Sequence, residues 1–202
     1  KVSTAAYVNS LFRPDIIRDL HLAEHGFEML ERSPSSFTPF PDGRHLFLGP
    51  DEEMTRRSIA QFSEKDAEAY PRYEAMLERV AAFIEPTIDS EPPDPQSNRL
   101  GDLWKTLQLG LSFRKLGPDM EEAIRVLTAP AQVILDEWFE SEELKTTLAT
   151  DAIIGAMAAP STPGTGYVLF HHVMGETNGK KGVWGYVRGG MGALSNAIAD
   201  SA

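Results

Sequence analysis

Phe37-Thr38-Pro39-Phe40-Pro41-Asp42-Gly43-Arg44-His45-Leu46-Phe47-Leu48 is the stretch that keeps this chain from reading as all-helical. Two apolar runs flank Pro41-Asp42-Gly43. Proline presets φ for a turn, aspartate can close an Asx turn, and glycine accepts positive φ, so the segment predicts an antiparallel hairpin. Just before it, Phe27 and Met29 alternate around Glu28, the period of a strand. A small antiparallel sheet is therefore expected over residues 27–49. Further upstream, Pro14 suits the first turn of a helix and Gly26 a left-handed terminator, with Ile16, Ile17, Leu20 and Ala23 as the buried stripe between them.

Downstream of Asp51 the period becomes helical. Tyr73, Met76, Leu77, Val80, Phe83 and Ile84 share one helix face, Ser63 and Asp66 suit a capping pair ahead of it, and Pro71 predicts a kink or restart. Residues 90–96 carry Pro92, Pro93 and Pro95 and read as an extended connector that hardly divides two domains. Helices are expected over residues 103–111 and 120–127, with Gly117-Pro118 as the break. Ala131, Ile134, Leu135 and Trp138 then mark a core-facing stripe, and Ser141 is the expected N-cap of a helix over residues 142–154. Past Pro160 the chain turns to small residues, aromatics and glycine, with a further strand expected at 183–187 and a helix at 193–199. The expected fold class is α+β: one mainly helical unit with a small antiparallel sheet.

Composition narrows the function classes. The 202 residues carry 19 Lys+Arg against 30 Asp+Glu, a formal charge of −11 that repels phosphate backbones and anionic lipid, so nucleic acid is not an expected partner. Absence of cysteine excludes disulfides, thiolate metal sites and a cysteine nucleophile. The uncharged stretch at 152–175 is broken by Pro160, Pro163, Gly164 and Gly166, so no transmembrane segment is expected. Residues 1–9 lack the apolar region of a signal peptide, and the opening at Lys1 suggests a piece of something longer. Cytoplasm is the default address, with the qualification that a missing N-terminus could carry a signal.

Several side-chain groupings could carry chemistry. His21 and His25 stand four apart, but no third ligand accompanies them and no metal site is expected. His172 and Glu176 have the same spacing, and Gly175 between them argues against a shared helical face. His171 and His172 lie in the apolar run Tyr167-Val168-Leu169-Phe170-His171-His172-Val173-Met174, about 100° apart on a helix. One ring can face the core while the other meets a polar partner, so the pair suits either a structural histidine or a substrate-facing one. Gly189-Gly190-Met191-Gly192-Ala193-Leu194-Ser195 sits between an expected strand and an expected helix. From Gly190 it reads G-x-G-x-x-S, which is short of a dinucleotide fingerprint, and a tight turn explains it equally well. No Walker loop, G-x-S-x-G elbow or paired-carboxylate motif is present.

Ala6-Tyr7-Val8-Asn9-Ser10-Leu11-Phe12-Arg13-Pro14, Ile59-Ala60-Gln61-Phe62-Ser63, Trp138-Phe139-Glu140-Ser141-Glu142, Leu148-Ala149-Thr150-Asp151-Ala152, residues 164–175 and Trp184-Gly185-Tyr186-Val187-Arg188-Gly189-Gly190-Met191-Gly192 together resemble the middle region of phytoene-desaturase-like FAD-dependent oxidoreductases. The last two segments are the most specific. The resemblance implies a longer parent with an N-terminal G-x-G-x-x-G unit for FAD and a C-terminal return to the flavin, both absent here. It makes Gly189, Gly190 and Met191 cofactor-proximal candidates. It makes Tyr167, His171, His172, Trp184 and Tyr186 substrate-facing candidates; no catalytic residue is implied. Family reactions include desaturation, saturation or isomerisation of apolar polyenes and, in amine-oxidase-like members, amine oxidation. An apolar small-molecule substrate, FAD in the parent but none retained by this piece, packing against the parent's cofactor domain and self-association of the piece are the corresponding expectations. A noncatalytic ligand- or protein-binding module is the alternative.

Overall fold

The hairpin forms where the turn chemistry places it. In the computed structural model, β2 (Ser36–Pro39) pairs antiparallel with β3 (His45–Leu48), Phe37 opposite Phe47. Gly43 takes φ +88° and the Asp42 carboxylate accepts the Arg44 N–H at 3.0 Å. The structure describes Ala6 and residues 8–88, 90–117 and 119–202. Tyr7 and the opening residues 1–5, together with Pro118 of the Gly117-Pro118 break, lie outside the described residues. The chain divides into two compact units, Lys1–Ala67 with His171–Ala202, and Glu68–Phe170. The expectation of one unit is thus replaced by two, and the proline-rich connector lies inside the second.

In the first unit, Leu46 and Leu48 point to the buried side of the hairpin and Phe37, His45 and Phe47 cluster on the other, with Phe37 and Phe47 centroids 5.0 Å apart. Helix α2 (Glu52–Ala60) begins at Asp51, whose carboxylate accepts the Met54 N–H at 2.9 Å. Ser58 Oγ accepts the Phe47 N–H at 2.7 Å and Thr55 Oγ1 the Gly49 N–H at 3.1 Å, so the helix satisfies backbone donors of the strand beside it.

The alternation at Phe27 and Met29 does mark a strand, but its partner is remote. β1 (Met29–Glu31) pairs antiparallel with β6 (Gly185–Val187), Met29 opposite Val187 and Leu30 opposite Tyr186. The single sheet expected over residues 27–49 is therefore two separate ladders, and a third joins β4 (Glu176–Thr177) to β5 (Lys180–Lys181). Period two identifies a strand and its faces and leaves its partner open.

Helix α1 (Pro14–Asp19) starts with Pro14 as expected, yet ends well before Gly26. His21 adopts φ +49°, so the helical stripe no longer holds beyond it: Ala23 is exposed and Leu22 becomes fully buried, while Ile16, within α1, is exposed as well. Leu22 packs with Phe27, Val187, Leu194 and Ala197, the last two from α9 (Met191–Ser201). The Ser201 hydroxyl donates to the Leu20 carbonyl at 2.6 Å and ties α9 to the N-terminal turn.

Helix α3 (Glu64–Ile88) runs through Pro71 as one helix, without the restart that was one of the two expected outcomes there. Proline there removes one N–H donor, while Tyr70, Tyr73, Met76, Leu77 and Val80 are buried around it and hold the flanking turns. The Ser63 hydroxyl accepts the Asp66 N–H at 3.1 Å, the expected cap. The second unit continues with α4 (Leu100–Lys115), α5 (Asp119–Thr128), α6 (Ala131–Trp138), α7 (Glu142–Ala149) and α8 (Thr165–His171). Ala131, Ile134 and Leu135 are buried as their spacing requires, whereas α7 stops at Ala149 and residues 150–155 form turns instead of the expected extension. Among the described residues no helix is long and apolar enough to cross a membrane.

Gly166 marks a close approach inside the second unit: a Cβ there would lie 2.7 Å from Ile134 Cδ1 and 2.8 Å from the Val126 carbonyl. Gly101, in α4, faces open space. Gly166→Ala is therefore expected to cost about 1–3 kcal/mol of unfolding free energy through forced displacement. Gly101→Ala should gain about 0.5–1 kcal/mol by lowering unfolded-state entropy. Urea unfolding of both variants checks the pair, and an unchanged midpoint for Gly166→Ala would show that the packing there is loose.

Candidate functional site

The first unit holds an open cavity of about 570 Å³. Its apolar wall is Phe12, Ile17, Phe27 and Met29, with Asn9, Arg18, Glu28 and residues 176–179 at the polar margin. These walls arise from local necessity. Asn9 exchanges backbone hydrogen bonds with Gly185 (2.8 and 2.9 Å), placing residues 8–10 beside β6, and its side-chain carbonyl accepts the Phe12 N–H at 3.3 Å. Phe12 thus turns toward Phe27, with ring centroids 6.4 Å apart in an edge-on arrangement. Phe12, Ile17 and Met29 are the partly buried outer layer of the core built on Leu22 and Phe27.

The opposite margin is fixed by the β4–β5 hairpin. Thr177 is buried and its hydroxyl donates to the Val183 carbonyl at 2.7 Å, while the Asn178 amide donates to the Met29 carbonyl at 3.3 Å. Two ion pairs flank the wall: Arg188 on Glu28, with one contact at 2.9 Å, and Lys180 on Glu31 at 2.7 Å. The hydrogen bonds from Arg188 and Lys180 hold the Glu28 and Glu31 carboxyls below their ordinary range. Both therefore stay charged at neutral pH, and Glu28 puts a fixed charge at the margin of the apolar floor.

The residues singled out in the sequence fall elsewhere. His172 is buried and its ring stacks on Trp184 at 5.4 Å with 22° between planes; His171 meets His172 edge-on at 5.7 Å. His172 opens the 3₁₀ turn His172–Met174, just past the end of α8 at His171. Tyr186 is 40% exposed, opposite Leu30. Because side chains alternate across a strand, Tyr186 and Leu30 occupy the face of the β1–β6 ladder opposite that of Met29 and Val187. The cavity thus lies on the Met29 side, and none of Tyr167, His171, His172, Trp184 and Tyr186 lines it. Tyr167 is exposed on α8 within the second unit.

Gly189 and Gly190 both take positive φ, +83° and +84°, and Gly190, with ψ 176°, occupies a region essentially reserved for glycine. They turn the chain from β6 into α9, closed by the Gly190 N–H to the Val187 carbonyl at 2.8 Å. Met191 packs against the Leu22–Phe27 core. His21 and His25 sit in the turns after α1, with His21 3.7 Å from Glu24. Among the described residues no three His, Asp or Glu side chains converge on a metal position. Sequence reasoning missed Asn9, Phe12, Phe27, Met29 and Thr177 as a group, because their convergence depends on pairings with β6 and the β4–β5 hairpin that no local signal encodes.

The chain is 48% identical over its whole length to the rat (Rattus norvegicus) pyridine nucleotide-disulfide oxidoreductase domain-containing protein 2, and equally to the mouse (Mus musculus) protein of that name. It spans 37% of the length of each relative. No protein-family model matches the chain.

His171 titrates below its ordinary value, first because burial disfavours its charged form and second because His172 adjoins it. The unfolded chain takes up this proton near pH 6.5 and the folded one only at lower pH, so stability is full above about pH 6.5 and falls on acidification through that window. His171→Gln is expected to flatten the decline in Tm between neutral and mildly acidic pH, measured by thermal melts; an unaltered slope would remove His171 as its source.

Proposed function

We propose that this chain is the substrate-binding middle region of an FAD-dependent oxidoreductase of the phytoene-desaturase-like kind, acting on a substrate with a substantial apolar body. The observation that carries the reading is the whole-length similarity to two proteins whose names contain pyridine nucleotide-disulfide oxidoreductase, spanning 37% of their length. The resembling segments at both ends of the chain point the same way. The cavity adds a physical role: an apolar floor of Phe12, Ile17, Phe27 and Met29 would desolvate the substrate body, while Asn9 and Asn178 at the margin offer hydrogen bonds to a polar end.

The residues of this chain do not by themselves fit a flavin. The positive φ of Gly189 and Gly190 is used in the turn into α9, Met191 is committed to its own core, and no complete G-x-G-x-x-G unit is present. In this reading the cofactor belongs to the parts of the longer relatives that the chain does not cover, and the present residues bind, orient and keep water from the substrate. A second reading, a noncatalytic ligand-binding module, is favoured by one feature: the cavity is built without Gly189, Gly190 or Met191.

Visible absorption of the full-length parent beside this 202-residue chain separates the two. A flavin band in the parent and a colourless chain is the expected result. A folded parent that takes up no added FAD would sink the oxidoreductase reading and leave the ligand-binding module in its place.

A further inference from the structure

Helix α4 is apolar on two faces. Leu109, Phe113 and Leu116 form the half-buried face, with the Phe113 ring edge-on to Phe83 at 4.8 Å. On the other side Leu100, Leu103, Trp104, Leu107 and Leu111 fall within an arc of about 100° at 100° per residue. All five are exposed, Leu100 by 85% and Trp104 by 58%. Together they make a continuous patch on the order of 500–600 Å², the upper end of what a monomer leaves uncovered. Burying one face of a helix is enough to hold it in a domain; a second apolar stripe with an aromatic near its centre needs a second apolar phase.

Charge identifies that phase. Residues 99–115 contain Arg99, Lys105, Arg114 and Lys115 against Asp102 alone, a local +3 in a chain of net −11, which leaves −14 elsewhere. Lys105 is held by Glu91 at 2.6 Å. Arg114 and Lys115 stand beside Leu111 around a shallow cavity of about 700 Å³ at the end of the stripe. We propose that α4 is an interfacial anchor on an anionic lipid bilayer. Its five apolar residues lie at the headgroup–acyl boundary, Trp104 sits at the level such rings prefer, and Arg114 and Lys115 meet lipid phosphates.

Charge favours lipid over a second copy of the chain. Two α4 faces packed in parallel would set the Arg114–Lys115 ends together, and packed antiparallel would set them against Arg99 of the other copy; either way cation meets cation. The helix has 16 residues, about 24 Å at 1.5 Å per residue, and carries charge at both ends, so it suits lying along a surface and not crossing it. The overall negative charge does not prevent the contact, because at physiological salt a charge is felt over about 8 Å and the face nearest the lipid decides the sign. The acidic remainder orients the chain with α4 toward the surface. This inference is independent of the flavoprotein reading, since vesicle binding requires no cofactor.

Co-sedimentation of the 202-residue chain with phosphatidylcholine vesicles, and with vesicles one-third phosphatidylglycerol, tests it. Tryptophan emission is followed in parallel, and Trp104→Phe assigns the signal. The chain should pellet with the anionic vesicles with a blue shift lost in Trp104→Phe. Leu103→Asp with Leu107→Asp should weaken binding by at least about tenfold, as expected for an apolar face in the interface. Arg114→Glu with Lys115→Glu should abolish the preference for anionic lipid. The substituted positions are exposed, and circular dichroism confirms that the variants fold. A chain that stays in the supernatant with both vesicle types, or binding indifferent to the double aspartate variant, overturns the proposal. So does sedimentation equilibrium showing a dimer that Leu107→Asp abolishes, which would give the face to a second copy.

Discussion

Antiparallel pairing of Met29–Glu31 with Gly185–Val187 is the constraint on which the first unit depends. It joins the early and late segments of the sequence that make up the first unit. Gly185 makes the join close: a Cβ there would lie 2.7 Å from Met29 Cε and 2.9 Å from Thr177 Cγ2. Asn9 adds a further bridge on Gly185 from the other side. The flanking ion pairs, Arg188 with Glu28 and Lys180 with Glu31, are solvent-exposed and contribute little. The stabilisation comes from burial of Leu22, Phe27, Val187, Leu194 and Ala197, apolar side chains that only meet once the strands pair.

The same ladder sorts the chemistry into two compartments. Its Met29–Val187 face carries the core and, at the edge of that core, the cavity. Its other face carries Tyr186 and Leu30, both partly open to solvent. His172 and Trp184 form a packed pair with near-parallel rings. His171, less enclosed and shifted toward its neutral form, is the more chemically available of the two. A one-residue step along β6, from Tyr186 to Val187, thus decides which side of the ladder a side chain serves.

Among the described helices of the second unit, α4 exposes the most large apolar side chains. α6 buries Ala131, Ile134 and Leu135 and exposes Val133, the ordinary division of a surface helix. Tyr70 and Tyr73 sit among Trp138 and Phe139 with their hydroxyls pushed up by burial, and the acids Glu74 for Tyr70 and Asp151 for Tyr73 act in the same direction. Both phenols remain neutral at any physiological pH, so this aromatic cluster is closed core. Against that background, five exposed apolar residues on one side of α4 are a specification for something outside the chain.

Much of the architecture was written locally. The Pro41-Asp42-Gly43 turn, the Ser63 cap, the stripes of α3 and α6, the Pro14 start and the glycine turn at 189–190 each depend on φ preferences and spacing within a few residues, and those act whatever the rest of the chain does. The partner of β1, the burial of Leu22 in place of Ile16 and Ala23, the passage of α3 through Pro71 and the convergence of Asn9, Phe12, Phe27, Met29 and Thr177 on one cavity were not legible in that way. Strand period names a face and not a partner, and a proline or a left-handed residue is tolerated or exploited according to what packs around it. The sequence by itself determined the kind of element at these local signals, because φ preferences and spacing act within a few residues; tertiary structure alone decided where α1, α3 and α7 run on or stop and which elements meet, because that is settled by the burial of surfaces distant in the chain.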